Sequence, residues 1–283
     1  MGLIDSNEKL LEFLSPSQTL LCSRLGVVES RILECFSFED EKLSLGLRKQ
    51  AWLNAGVFPP TKGQLTNFAN LYREAILDSD LLAIWPRDVQ KSHDILISRY
   101  ASATPKIDMA ALDVLSCAGL LAPSSIWISK LSGARVLVVH PFAESFKHQY
   151  ANVKYLHKIS ILPEFDATFS SPPMTQGLNF FSGTYSSNLE IYLNHLRDLI
   201  RNRKYDYALV AAGAYGLPIG KFLKDNGIST IYMGGALQLL FGVFGARWKN
   251  RSDIDLFRTS YWLDHPLESP PRGASFIEGK TYW

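Results

Sequence analysis

The segment from Tyr205 to Gly235, YDYALVAAGAYGLPIGKFLKDNGISTIYMGG, constrains the fold of this chain more than any other. An apolar run leads into a glycine-rich turn, an amphipathic stretch follows, and a β-branched run closes the segment. This order predicts strand, turn, helix and strand, the unit from which nucleotide-binding sheets are built. It also raises a question, because the glycine turn could either bind a phosphate or let a helix pack closely on the sheet.

Strands and helices alternate through most of the remaining chain. Strands are predicted for LLAIW, DILISRY, ARVLVVHPF and DATFSSPP, and helices for ESFKHQYANVKYLHKI and SSNLEIYLNHLRDLIRNRK, with Ser187 and Glu190 as a capping box on the last helix. The pattern predicts an α/β fold, a Rossmann-like and mostly parallel sheet with helices on both faces.

The N-terminal part of the chain is predicted to be mainly helical. We expect residues 1–78 to form a helical N-terminal region, integrated into one domain with a Rossmann-like region at 79–283. Within it lies the segment SRLGVVES, where we expect a short helix to end, Arg24 and Gly26 to form a turn, and Glu29 to open the next helix.

Composition excludes several classes of protein. The 283 residues are 47% hydrophobic and 20% charged, which is typical of a globular chain, and the net charge of +2 gives no electrostatic argument for nucleic-acid binding. The cysteines Cys22, Cys35 and Cys117 form no CxxC pair, and the acidic start is unlike a secretory signal, so we expect a cytoplasmic protein. The uncharged run 226–246 is interrupted by glycines and predicts a buried strand and helix rather than a membrane span.

Three predicted strand ends could hold a ligand. In AGAYGLPIG, Gly213 and Gly216 allow close backbone approach, and the N–H groups of the turn would favour a diphosphate; packing of the helix on the sheet is the equal alternative. The Gly234-Gly235 pair ends the next strand. His140, followed by Glu144, ends a third, where a histidine can act as base, acid or hydrogen-bond donor, or serve structure alone.

Several of these segments resemble a known family. SRLGVVES is similar to the R-x-G-D-G-E segment of glycosyltransferases with the GT-D fold. The blocks LNAGVFP, HPFAESFKHQY, LPEFD, GAYGLPIGKFLKDNGISTIYMGGALQLLFGVFGARW and IEGKTYW resemble those of related proteins encoded with bacterial capsule and O-antigen genes. The resemblance extends over nearly the whole chain.

The resemblance implies transfer of a sugar from a nucleotide-sugar donor to a bacterial surface glycan or a lipid-linked acceptor. By position it puts Arg24 and Glu29 at the donor site. Together with the strand ends, it leads us to expect catalytic roles for Glu29, His140 and Glu278, and a donor site made by Arg24, Gly26, Gly213, Tyr215, Gly216, Gly234, Gly235 and Arg247. Val27 replaces the first acid of the family pair, so a Mn²⁺ or Mg²⁺ site is incomplete, with Glu29 as its remaining ligand. Arginines and turn N–H groups could meet the diphosphate charge instead.

Two other functions are open at this point. One is a transferase that moves a phosphoryl or acyl group onto a surface polysaccharide, and the other is a noncatalytic partner of other polysaccharide biosynthesis proteins. A peripheral contact with the inner face of the membrane is a further prediction, because LQLLFGVFGARWKNR combines aromatic and basic residues. The alternative for this stretch is a buried helix that ends in a basic turn.

Overall fold

The computed structural model describes residues 2–14, 18–37, 43–85, 91–178, 183–277 and 282–283. Within these ranges the strands are β1 (Leu21–Arg24), β2 (Leu81–Ile84), β3 (Lys106–Asp108), β4 (Arg135–Val139), β5 (Asp166–Ser170), β6 (Tyr207–Val210) and β7 (Ser229–Tyr232). They form one parallel sheet in the order β3-β2-β1-β7-β6-β4-β5. The predicted Rossmann-like α/β fold is confirmed.

Helices cover both faces of the sheet. On one face pack α1 (Leu3–Phe13), α6 (Val114–Ala118), α7 (Ala143–Tyr150), α8 (Val153–Leu156) and α11 (Ala236–Leu240). On the other face pack α2 (Val27–Ser37), α3 (Leu45–Gln50), α4 (Lys62–Leu77), α5 (Lys91–Tyr100), α9 (Tyr185–Asn202) and α10 (Gly216–Asp225), with a π-helical turn at Ala51–Ala55 after α3.

The central strands are apolar on both sides because both faces of the sheet are covered. In β4, Val136 and Val138 point into one core while Leu137 and Val139 point into the other, and all of them are fully buried. The alternation follows from the two-residue period of a strand. Continuous apolar runs of this kind are typical of parallel sheets.

The prediction that a short helix ends at Arg24 is wrong. Residues Leu21–Arg24 form β1, which lies between β2 and β7 with Cys22 opposite Leu81. The run is only four residues long and contains Ser23 and Arg24, so it lacks the β-branched side chains that indicate a strand. The N-terminal region is therefore helical but contributes a central strand, and its division from 79–283 stays a prediction.

Two further predictions are corrected by the structure. The run DILISRY belongs to α5, where His93, Leu96, Ile97 and Tyr100 are the more buried positions at helical spacing. The capping box of α9 is made by Thr184 and Ser187, because the helix begins before the predicted Ser187. β3 was not predicted, since three residues carry no periodicity.

The stretch LQLLFGVFGARWKNR lies largely in the core, which favours the buried alternative over a membrane contact. Leu239, Leu240, Phe241 and Val243 are fully buried, whereas Arg247 is exposed. Among the described residues, no helix combines the length and the apolar character that crossing a membrane requires.

The topology creates a crevice at the carboxyl edge of the sheet. β1 leads into α2 on one face, whereas its neighbour β7 leads into α11 on the other face. The neighbours β6 and β4 diverge in the same way into α10 and α7. Ligands of open α/β sheets bind where neighbouring connections part in this manner.

Candidate functional site

A cavity of about 210 Å³, which we call the edge pocket, lies in this crevice. Segments that follow β1, β2, β4, β5, β6 and β7 form its walls. The site residues predicted from the sequence that line it are Arg24, Gly26, Glu29, His140, Gly213, Gly234, Gly235 and Arg247. Residues far apart in the sequence are thus brought to one place by the strand order.

Other predicted residues do not line the edge pocket. Tyr215 is buried behind it, with its hydroxyl 3.0 Å from the Thr175 hydroxyl. Gly216 faces the ring of Tyr232 and packs α10 on the sheet. Glu144 lies in the first turn of α7, outside the pocket lining. Glu278 lies outside the described residues.

Arg24, the last residue of β1, is held between two aromatic rings. Its guanidinium carbon lies 5.9 Å from the centre of the Trp85 ring and 5.6 Å from that of Tyr232. Gly234, with φ +61°, leaves the space that the guanidinium fills, since a Cβ there would lie 2.8 Å from Cζ of Arg24. Stacking of this kind orients a guanidinium while its charge remains.

Arg24 forms no ion pair with a described carboxylate. Its Nε is buried without a hydrogen-bond partner among the described residues. A buried donor without a partner is unfavourable unless a ligand satisfies it. Arg24 is therefore suited to an anionic ligand.

Glu29 brings a carboxylate to the pocket from the first turn of α2. Its side chain is 9% exposed and folds back over Gly26, where a Cβ would lie 2.6 Å from Cδ of Glu29. The Gly26 N–H donates a 2.9 Å hydrogen bond to the Tyr72 hydroxyl. Burial first, and then the charge of Glu29, raise the pKa of Tyr72, so this hydroxyl stays protonated beside the carboxylate.

His140 is a neutral ring held in a fixed orientation. Its Nδ1 accepts a 2.9 Å hydrogen bond from the Phe142 N–H, and its ring stacks on Phe146 with centroids 4.3 Å apart. Burial lowers its pKa to about 3. With Nδ1 acting as acceptor, the proton lies on Nε2, so the geometry fits hydrogen-bond donation and does not fit a general base.

Arg247 approaches the pocket from the segment after α11. Its Nη1 donates a 3.0 Å hydrogen bond to the Tyr282 hydroxyl, and its guanidinium carbon lies 5.7 Å from the centre of the Tyr282 ring. A Cβ at Gly235 would lie 3.6 Å from the same Nη1. A second guanidinium therefore lines the pocket together with Arg24.

Several pocket residues were missed from the sequence: Asn54, Trp85, Gln176, Tyr232, Tyr282 and Trp283. Trp85 follows β2 directly, so its position at a strand end could have identified it. Asn54 and Gln176 are joined by a 2.5 Å hydrogen bond from Gln176 Nε2 to the Asn54 carbonyl, which depends on the tertiary fold. The two residues are far apart in the sequence, so no local pattern predicts this hydrogen bond.

The described residues do not supply a metal site of their own. No group of three or more histidine, cysteine, aspartate or glutamate residues converges in the part of the chain that the structure describes. Val27 is 39% exposed and lines the pocket at the position where the resemblance predicts an acid, which leaves Glu29 as the carboxylate among the described lining residues. A hard divalent cation takes several oxygen ligands, so this set does not fit one.

Comparison with known proteins identified no relative: no family model, curated protein or solved structure matches this chain. The resemblance to GT-D glycosyltransferases stays a prediction.

Proposed function

We propose that this protein is a glycosyltransferase that transfers a sugar from a nucleotide-sugar donor to a bacterial surface glycan or a lipid-linked acceptor. The observation that carries the proposal is the joint presence of two arginines and a buried carboxylate in the edge pocket. Arg24, Arg247 and Glu29 combine the charges that such a transfer requires.

The arginines suit the diphosphate of the donor. Guanidinium groups form charge-assisted, often bidentate hydrogen bonds to phosphate oxygens. Arg24 is already oriented by Trp85 and Tyr232, so binding would cost little additional ordering. The same contacts would stabilise the negative charge that develops on the leaving nucleoside diphosphate.

Glu29 suits the role of general base. In the transfer, the acceptor oxygen forms a bond to the anomeric carbon as the bond to the diphosphate oxygen breaks, and the acceptor proton passes to the carboxylate of Glu29. Gly26 leaves room for that carboxylate in the pocket. His140 contributes its Nε2–H as a neutral donor to the sugar or the diphosphate.

The decisive experiment compares Glu29→Gln with wild type and with Glu190→Gln, whose side chain is exposed on α9. Release of nucleoside diphosphate is measured with uridine, guanosine, cytidine and thymidine diphosphate sugars, with and without Mn²⁺, and diphosphate binding is measured by calorimetry. We expect Glu29→Gln to lose roughly 10²–10⁴-fold in turnover while it binds the diphosphate as wild type does.

Two outcomes would contradict the proposal at different levels. Full turnover by Glu29→Gln would remove Glu29 from the mechanism and leave the activity standing. Absence of nucleotide-sugar turnover and of diphosphate binding in wild type would remove the activity itself and favour the noncatalytic assembly partner.

A further inference from the structure

A second cavity, of about 390 Å³, adjoins the edge pocket. Arg24, Trp85, Gly235 and Arg247 line both cavities, so the two arginines lie on the boundary between them. Glu29 and His140 line only the edge pocket. The two cavities therefore differ in chemistry and share Arg24 and Arg247, whereas Arg251 lines only the second cavity of the two.

We propose that the second cavity holds the nucleoside of the donor, with the diphosphate at the arginine boundary and the sugar in the edge pocket. The inference rests on the proposed function and adds to it the orientation of the donor and the residues that select the nucleoside.

The walls of the second cavity suit a flat aromatic base. Trp85 and Trp248 contribute indole rings, and Met109 and Met233 contribute thioethers. Aromatic rings stack on bases, and methionine sulfur makes favourable contacts with aromatic edges. The edge pocket contains the amides of Asn54 and Gln176 instead, which suit the hydroxyl groups of a sugar.

Asp108 is the acceptor that a ribose would meet. Its Oδ1 accepts a 2.8 Å hydrogen bond from the Ala110 N–H, which is the hydrogen bond that its carboxylate accepts from the described residues. In dinucleotide-binding folds a carboxylate at the end of a strand accepts from a ribose hydroxyl, and Asp108 is the last residue of β3.

The other charges of this cavity are already engaged. Asp113 accepts from the Leu115 N–H at 3.1 Å and from the Ser116 hydroxyl at 3.0 Å, and it pairs with Arg251. Arg251 pairs with Asp253 as well. Among the described lining residues, these contacts leave Asp108 as the carboxylate available to the nucleoside.

The orientation of the donor follows from the position of the general base, Glu29. Glu29 must lie near the anomeric carbon to accept the acceptor proton, and of the two cavities it lines only the edge pocket. The sugar must then lie on the Glu29 side of the arginines and the nucleoside on the opposite side.

The test is calorimetric titration with the four nucleoside diphosphates and, separately, with inorganic pyrophosphate. Asp108→Asn removes the carboxylate but keeps an acceptor for Ala110, and Ala236→Phe fills the second cavity from a residue that does not line the edge pocket. Ala151→Phe, at an exposed position after α7, is the matched control. Thermal unfolding checks that each variant folds.

We expect both cavity variants to bind the preferred nucleoside diphosphate about tenfold or more weakly and to bind pyrophosphate as wild type does. Ala151→Phe should match wild type with both ligands. Unchanged nucleoside diphosphate binding in both cavity variants would overturn the orientation and leave the proposed function standing. If the folded variants lost affinity for pyrophosphate as much as for the nucleoside diphosphate, the orientation would also be overturned. If wild type bound no nucleotide, both the proposed function and the orientation would be contradicted.

Discussion

The glycine turns after β6 and β7 both reach the edge pocket, yet they have different neighbours. After β6, the carbonyls of Gly213 and Ala214 accept hydrogen bonds from the hydroxyls of Tyr232 and Tyr185, at 3.1 and 3.2 Å. After β7, Gly234 and Gly235 lie against the guanidinium groups of Arg24 and Arg247. The first turn is fixed by tyrosine hydroxyls, and the second is shaped around cations.

The comparison shows that glycine at a strand end has no single meaning. Gly216 is required because the Tyr232 ring lies where a side chain would be, whereas Gly234 is required because Arg24 lies there. Tyr232 links the two turns, since its hydroxyl bonds to Gly213 and its ring stacks under Arg24. The sequence left open whether these glycines serve packing or a ligand. Gly216 serves packing of α10 on the sheet, whereas Gly234 makes room for the Arg24 guanidinium that lines the pocket.

The largest expected effect is on stability, at Gly216. A Cβ at this position would lie 2.8 Å from Cζ of Tyr232, a residue that is 3% exposed, and displacing its ring would disturb the hydrogen bond from its hydroxyl to the Gly213 carbonyl. Gly216→Ala should therefore lower the free energy of unfolding by about 2–3 kcal/mol, measured by urea titration. Gly63→Ala, in α4 with open space around it, should be neutral or slightly stabilising. Equal stability of the two variants would show that α10 does not depend on this contact.

The next effect is on binding, at Arg24. Arg24→Met keeps the unbranched apolar stem of the side chain but removes the guanidinium, so nucleoside diphosphate binding should weaken by about 10–100-fold. The free energy of unfolding should change little, because no described carboxylate depends on this charge. Arg201→Met, at an exposed position on α9, is the control. An unchanged dissociation constant would mean that the anion lies elsewhere.

A smaller effect is expected at Gly234, where two variants distinguish backbone strain from displacement of the Arg24 guanidinium. Gly234→Ala should cost about 1–2 kcal/mol of stability because its φ is +61°, and it should also weaken diphosphate binding by displacing Arg24. Gly133→Ala has the same backbone strain, with φ +71° and no atom within 4 Å, so it should lose stability alone. If both variants bind the diphosphate equally well, the β7 turn does not position Arg24.

The sequence predicts the parts of this site that depend on local pattern. His140, Gly213 and Gly234 follow runs that are plainly strands, so the parallel fold alone brings them to one edge. The resemblance added Arg24 and Glu29, although the strand that carries Arg24 was not predicted. Local pattern could not reveal which glycine faces a ring and which faces an arginine, since that depends on contacts between distant segments.

The same limit explains the residues that were placed incorrectly. Tyr215 and Gly216 lie in the predicted turn but point into the core, because the turn winds directly into α10. The second cavity was not predicted at all, since Asp108 belongs to a three-residue strand and Trp248 to a single helical turn. Short elements of this kind carry too few residues for a periodicity.

The smallest expected effect is on the pH dependence of stability, at His140. This residue follows β4, the neighbour of β6, and lies on the β6 side of the pocket. Burial lowers its pKa to about 3, whereas a histidine in an unfolded chain titrates near ~6.5. The unfolded state therefore binds a proton that the folded state does not as the pH falls below ~6.5, and the stability present above that pH is lost progressively toward about 3. The loss from one such histidine is about 1 kcal/mol between pH ~6.5 and ~5.5.

His140→Asn should reduce this loss, because the asparagine oxygen can still accept the hydrogen bond from Phe142 but does not titrate. Urea titrations over this pH range measure it. His157→Asn is the comparison, since His157 is also buried, has its pKa lowered to about 4, and lies away from the edge pocket. An identical pH dependence in wild type and His140→Asn would show that the pKa of His140 is the same in the folded and unfolded states. His140 would then become a cation in the folded protein below pH ~6.5, and at that pH the contrast between the two turns would no longer be one of charge.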